Sequence, residues 1–402
     1  MDIFLLYQYI ITTILLFVLV NFLINNILFK DTSRFKLPEN VLAQKPLVSI
    51  LIPARDEEEN IKRCIISLLK QDYENIEILV LDDNSTDDTA RIVSELSQKD
   101  PRVKLYSGRP LKKGWLGKSY ACWQLSKYAK GDYFIFTDAD TLHFPNSISS
   151  SVACLLRYRI DALSVFAKQI TVTLHERMIV PFGKYMILSF LPLYLIGKSR
   201  SVLFCTAIGQ FMLFKREVYK KIGGHRSIKS EVIEDIMISK QVKRCGYKFM
   251  IFDGRRNLYC RMYKNFREVV RGHSRTIFAA FDYNIYIIII AIILLSAIFL
   301  FPFIILPIGI FFNWPAILVN LIILQIIIIL IARTIFSMRF KCKAVDIILY
   351  PISVVYLIYI AIDSIFNAKI GMGVNWKGRI YDVREEDELR LVSDNYISDN
   401  YK

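Results

Sequence analysis

Val48-Ser49-Ile50-Leu51-Ile52-Pro53-Ala54-Arg55-Asp56-Glu57-Glu58 decides how this chain is read. An apolar run rich in β-branched residues gives way at once to a polar, acidic loop, the form taken by a buried strand of a parallel sheet. The form recurs twice. Ile76–Leu81 leads into Asp82-Asp83-Asn84-Ser85-Thr86-Asp87-Asp88, and Tyr133–Thr137 leads into Asp138-Ala139-Asp140. Between the first two runs, Ile61, Cys64, Ile65, Leu68 and Leu69 stand at helical spacing. Strands alternating with helices predict an α/β fold with a doubly wound, mostly parallel sheet. Sheets of this kind bind ligands beyond the carboxyl ends of their strands, and all three ends here are acidic.

Outside this region the composition changes character. The chain has 402 residues, 54% of them hydrophobic and 22% charged, with 52 Lys+Arg against 37 Asp+Glu and a net charge of +15. Ile3–Phe29 carries no charge for about 27 residues and Tyr283–Ala332 for about 50, where a spanning helix needs about 20. The pattern is that of an integral membrane protein and excludes disorder, which requires low hydrophobicity. The basic excess then reads as attraction to anionic lipid surfaces, with no nucleic-acid partner implied. Lys30, Arg34 and Lys36 follow the first apolar run, so the positive-inside rule puts the residues after it in the cytosol. The run is too long for the apolar core of a signal peptide and reads as an uncleaved anchor. The seven cysteines form no CxxC pair, which points to a reducing compartment.

These readings predict an anchor over 1–30, a cytosolic α/β domain over 46–280, a C-terminal membrane region over 283–366 and a polar tail over 367–402. The run after Tyr283 is expected to divide near Pro302–Pro315 into two spans. Two segments keep two readings each. Met178–Phe214, broken by Pro181, Lys184, Pro192, Lys198 and Arg200, suits an interfacial segment with snorkelling lysines or a buried helical hairpin. Ile347–Ile362, uncharged for about 16 residues, suits a crossing or a segment lying on the surface.

Asp138 and Asp140, two residues apart after a strand, suit Mg2+ or Mn2+ held with a substrate diphosphate, although Asp-x-Asp is also an ordinary solvated turn. The Asp82–Thr89 loop is rich in turn and cap formers; in the functional reading, one carboxylate there accepts hydrogen bonds from a base or ribose. Gly114-Trp115-Leu116-Gly117-Lys118-Ser119 imitates the end of a phosphate-binding loop but has Lys112 where the first glycine should stand. Glu231–Ile236 places acids in a first helical turn, where they complement the helix dipole.

Taken in order, the Val48–Glu58 stretch, Asp82-Asp83, Gly117-Lys118, Asp138-Ala139-Asp140, Gly209-Gln210-Phe211, Glu234-Asp235 and Arg271–Arg275 resemble the motifs of family 2 inverting glycosyltransferases with a GT-A fold. The anchor and C-terminal apolar runs are most similar to the membrane-bound branch acting on lipids, including carotenoid- and hopanoid-associated enzymes and, more distantly, ceramide glucosyltransferases. The resemblance implies a nucleotide-sugar donor, UDP-hexose, and a lipid acceptor. Transfer to a polyisoprenyl phosphate or a polysaccharide is the alternative, and a membrane scaffold with a degenerate transferase domain is the non-enzymatic one. It implies that Pro53, Ala54, Asp56, Glu57, Asp82 and Asp83 line the nucleoside pocket. Lys118, Asp138 and Gln210 would meet the donor, and Asp140 with Asp138 would hold the divalent cation. Asp235 would be the general base beside Glu234. Arg275 would stand for the arginine of the family's Gln-x-x-Arg-Trp segment, although Gly272 and Thr276 replace its glutamine and tryptophan. Asn375–Tyr381 resembles the tail of ceramide glucosyltransferases, which adds Trp376 and Arg379 to the substrate-binding set; if it serves the same cytosolic site at the cell membrane, the tail is cytosolic and Ile347–Ile362 does not cross.

Overall fold

The computed structural model describes residues 2–39, 45–369, 374–377, 379–382 and 390–393, which fall into two compact units. The first comprises Phe29–Ile170, Tyr194–Met262 and Met372–Lys402. Its strands are β1 (Val48–Ala54), β2 (Ile76–Asp82), β3 (Val103–Ser107), β4 (Tyr133–Thr137), β5 (Thr141–His143), β6 (Ala162–Gln169), β7 (Phe211–Lys215) and β8 (Phe249–Cys260). They form one sheet in the order β3-β2-β1-β4-β7-β6-β8-β5.

The acidic runs read from the sequence are β1, β2 and β4, and they lie side by side, β1 parallel to both neighbours. Their continuous apolar character follows from cover on both faces: Ile50, Ile52, Ile78, Val80 and Ile135 are fully buried with Cys64, Ile65 and Leu68 of the helix Ile61–Leu69, and Leu51, Leu79 and Leu81 are fully buried on the opposite face. Each such side chain contributes roughly 1.5–3 kcal/mol on burial. The far half is mixed, with β7 antiparallel to β4 and β6, while β6 and β8 are parallel. The sheet is therefore mostly parallel in its leading half, as expected. Gly131 permits the entry into β4, because a Cβ there would lie 2.6 Å from the Ser49 amide nitrogen. A separate hairpin sheet, β9 (Val374–Trp376), β10 (Arg379–Asp382) and β11 (Arg390–Ser393), closes this unit's chain.

The second unit comprises Met1–Leu28, Thr171–Leu193 and Tyr263–Gly371 and is helical. Ile3–Leu28, Ala316–Phe340 and Tyr350–Ala368 are each long and apolar enough to cross a membrane. The run after Tyr283 forms Ile285–Phe299, Phe301–Phe311 and Ala316–Phe340. The first two have 15 and 11 residues, short of a span, and Ile285–Phe299 reaches spanning length only together with Phe266–Ala280 across a 114° bend. Polar side chains tie the apolar helices together: Gln325 Nε2 donates to Gln8 Oε1 (2.9 Å) and Thr12 Oγ1 (3.0 Å), and Asn25 Nδ2 to the Leu188 carbonyl (2.8 Å). The Met178–Phe214 stretch is divided. Its first part belongs to the helix Leu174–Phe190, started by a Thr173–Glu176 capping box and burying Met178, Ile179, Phe182, Tyr185 and Leu188; from Tyr194 onward it belongs to the sheet unit.

Candidate active site

The loop leaving β4 carries the densest chemistry of the sheet unit. Lys118, in the first turn of the helix Gly117–Tyr128, sets its ammonium 2.7 Å from Asp138 Oδ1 and 2.9 Å from Glu234 Oε1. Burial works against the Lys118 charge, but these carboxylates outweigh it and hold the amine well above the ordinary lysine range. Glu234 and Asp235 open the helix Glu234–Arg244. Asp235 Oδ2 accepts the Gly209 N–H at 2.9 Å and Oδ1 accepts the Ile236 N–H at 2.8 Å. Burial first, then repulsion from Glu234, pushes Asp235 up to about 7 against those donors and Lys118. Gly209 leaves room for the lysine, since a Cβ there would stand 2.9 Å from Lys118 Nζ and the ammonium would have to shift.

Asp140 shares the predicament. Burial, followed by the charges of Asp138 and Glu57, pushes it up to about 7, while the Cys260 thiol bonds to it. Its Oδ1 is buried without a hydrogen-bond partner. Both Asp138 and Asp140 are half-buried, crowded enough to be desolvated and open enough to meet a ligand. A divalent cation fits here, because it would compensate a carboxylate that has no other partner on that oxygen. Among the described residues no group of three or more His, Cys, Asp or Glu side chains has metal-holding geometry. Asp138 and Asp140 would therefore hold the ion with oxygens from substrate and water, as Mg2+ and Mn2+ sites on phosphates do. The loop is braced from below: Thr141 Oγ1 donates to the Asp138 carbonyl (2.7 Å), and buried His143, held neutral by burial with its pKa near 3, contacts Thr137 and Thr141 through Nε2.

At the ends of β1 and β2 the acids are matched by bases. Asp83, 1% exposed, receives both Arg379 donors, at 2.5 Å and 3.2 Å, while burial pushes its carboxyl up against that pull. Lys377 Nζ lies 2.8 Å from Glu57 Oε1 and donates to the Asp56 carbonyl at 3.0 Å. Arg55 Nη1 donates to the Asp83 carbonyl (2.8 Å) and its Nε to the Lys377 carbonyl (3.1 Å). Asp56 sits at φ +50° and accepts the Thr86 N–H at 2.8 Å, so its carboxylate fastens one loop to the other; the left-handed backbone explains why a short Asp or Asn side chain suits the position. The Gly117 N–H donates to Tyr381 Oη at 3.1 Å.

The sheet unit thus brings together Asp138, Asp140, Lys118, Glu234 and Asp235 in one cluster, and Ala54, Asp56, Glu57, Asp83 and Arg379 in another. Pro53 lies within β1, and Asp82 accepts the Ser85 N–H at 3.3 Å. Gln210 is buried, its Oε1 bonded to Gln169 Nε2 at 2.8 Å. Arg275 belongs to the helix Phe266–Ala280 of the helical unit. Trp376 pairs with Arg379 through the backbone, and its side chain lies outside the described residues. Arg55, Lys377, Tyr381, Gln169 and Cys260 escaped the sequence reading. Lys377 and Tyr381 lie within the Asn375–Tyr381 stretch and could have been suspected from that alone.

Residues 49–223 match the model of glycosyl transferase family 2. This segment therefore carries the match to glycosyl transferase family 2 that the resemblance implied. A 4,4'-diaponeurosporenoate glycosyltransferase of Staphylococcus haemolyticus is 27% identical over 231 residues, covering 57% of this chain and 60% of that protein. The UDP-Glc:alpha-D-GlcNAc-diphosphoundecaprenol beta-1,3-glucosyltransferase of Escherichia coli is 37% identical over 115 residues, 29% of this chain and 43% of that protein. The chain therefore spans 60% or less of the length of these two curated relatives. A mannosyltransferase from Pyrobaculum calidifontis, solved in complex with GDP-Man and Mn2+, shares 15% identity and a TM-score of 0.49, covering 89% of this chain and 100% of that one.

Proposed function

We propose that the protein is a membrane-bound inverting glycosyltransferase that moves a hexose from a UDP-sugar to a hydroxyl of a lipid, with its catalytic domain in the cytosol at the cell membrane. The observation that carries the reading is Asp235: a carboxylate pushed up to about 7, oriented by two backbone N–H groups and set beside the Lys118–Glu234 pair. That is the property of a general base working near neutrality. In the proposed step the acceptor oxygen attacks the anomeric carbon while Asp235 takes its proton, and the carbon–oxygen bond to the diphosphate breaks on the opposite face. The nucleoside diphosphate leaves and the configuration inverts. A divalent cation on Asp138 and Asp140 would supply positive charge to the departing diphosphate, and Lys118 adds its own. Pro53, Ala54, Asp56, Glu57 and Asp82 would form the wall for the nucleoside, with Asp83 and Arg379 acting as one paired unit.

The carotenoid-acid relative supports a lipid acceptor, and the apolar helices support its delivery in a bilayer. The diphosphoundecaprenol-linked relative favours a second reading, transfer to a sugar on a polyisoprenyl carrier. Membranes containing the protein, incubated with labelled UDP-hexose and Mg2+ or Mn2+, should yield a chloroform-extractable, alkali-stable product bearing a single new sugar. A product released by mild acid would instead indicate a polyisoprenyl diphosphate carrier, and label found only in polymer would sink both lipid readings.

A further inference from the structure

Among the described residues of the helical unit, one buried cation, Arg333, makes no ion pair. Arg333 stands seven residues before the end of the helix Ala316–Phe340, about 10 Å from that end at about 1.5 Å per residue. It is 2% exposed. Its guanidinium carbon lies 4.8 Å from the ring centre of Tyr185, 5.1 Å from Tyr350, 5.3 Å from Phe336 and 5.9 Å from Phe182. Three segments of the chain therefore supply one aromatic cage. Rings attract a cation through their faces, but they accept little at the edge of a guanidinium. Nε and Nη1 are both buried without a hydrogen-bond partner, as is Ser337 Oγ one helical turn further on. Among the described residues Arg333 makes no ion pair, and Asp346, the acid that follows in the chain, is bonded to Arg177.

A guanidinium does not shed its proton, and a charge placed among apolar helices calls for compensation. A neutral ligand, or water alone, would satisfy the open N–H groups and leave the charge. An anionic oxygen group satisfies both. The depth of Arg333 below the end of its helix is one that a headgroup reaches, and the surroundings favour an anion, since Lys184 lies over the neighbouring Phe340 ring at 4.9 Å and Arg339 and Lys341 follow in sequence. We propose that Arg333 and its aromatic cage form a binding site for the anionic oxygen group, phosphate or carboxylate, of an amphiphile. The site stands independently of the glycosyl-transfer reading and is tested by binding.

The full-length protein, purified in detergent and stripped of lipid, is titrated with dodecyl phosphate, dodecanoate, dodecanol and inorganic phosphate while its unfolding temperature is followed. One or both of the anionic amphiphiles should raise that temperature saturably, the two arms telling phosphate from carboxylate, and dodecanol and inorganic phosphate should not. Arg333→Met should weaken the response at least tenfold, with Arg333→Lys between it and the wild type. A wild-type protein indifferent to both anionic amphiphiles, or equally responsive to dodecanol, overturns the proposal. So does a response to inorganic phosphate that matches the amphiphiles, or an undiminished response in Arg333→Met. If that variant fails to fold, the four wild-type titrations still decide.

Discussion

Two acidic clusters lie at neighbouring strand ends of the same sheet, and they are built on opposite electrostatic principles. Where β1 and β2 end, three acids each have a base: Asp83 takes Arg379, Glu57 takes Lys377, and Asp56 lies 3.9 Å from Arg55. Where β4 ends, Lys118 serves both Asp138 and Glu234, and among the described residues neither Asp140 nor Asp235 has an ion pair. The first cluster is already neutralised and can serve as architecture. The second holds two carboxylates that burial first, and repulsion from neighbouring acids second, push up to about 7. A site short of positive charge is what the proposed function needs for a cation and for proton transfer, and under that proposal the contrast divides support from chemistry.

Substitutions can break that division. The largest expected effect is Asp235→Asn, which keeps the shape and the acceptor for one N–H but removes the base; kcat should fall about 10³-fold with little change in donor KM. Equal kcat in the variant would remove Asp235 from the chemistry. Arg379→Met, in the neutralised cluster, should act on the fold instead, because it strands a buried carboxylate: a loss of about 3 kcal/mol in unfolding free energy is expected. Adding Asp83→Asn should restore part of it, a non-additivity that a double-mutant cycle measures. If Arg379→Met were as stable as the parent, the pairing would contribute nothing to the fold. Asp140→Ala should cost about 10²-fold in kcat/KM, the scale expected for losing one charge-stabilising contact in the transition state, and should weaken dependence on added Mg2+ or Mn2+. Retained activity in excess chelator would contradict a cation on this loop.

The legible parts of the molecule were those with a local signature. β1, β2 and β4 are covered on both faces, so their burial is written as continuous apolar runs, and the acidic loops stand directly after them. The Arg379–Asp83 pair joins residues 296 apart, and no periodicity encodes a contact of that range; only the tail's resemblance to that of ceramide glucosyltransferases pointed towards it. The antiparallel insertion of β7 between β4 and β6 was equally silent, because Phe211–Lys215 and Ala162–Gln169 acquire their roles from neighbours distant in sequence. Arg333 was hidden for a different reason. Read as a charge ending an apolar run, it marks a topology boundary, and only its burial among aromatic rings distinguishes it from the exposed Lys341 and Lys343 that follow.

The pH dependence offers the smallest effect and the sharpest discrimination between the two clusters. Asp235 is faced by Glu234, by Lys118 through that pair, and by the N–H groups of Gly209 and Ile236. Its carboxyl is raised to about 7 from an ordinary value near 4. As the proposed base it would work only when deprotonated, so kcat should be level above pH 7 and fall below it, reaching about tenfold by pH 6. Stability runs the other way. A raised acid contributes stability that is fully present below its unfolded pKa and is lost as pH rises through its folded value, so the fold gives up stability over the interval in which activity appears. Arg379→Met should leave the kinetic limb in place while lowering stability throughout. If that substitution moves the limb as far as changes at Asp235 do, the two strand ends titrate as one site, and the separation between a neutralised support and a charged reaction centre fails.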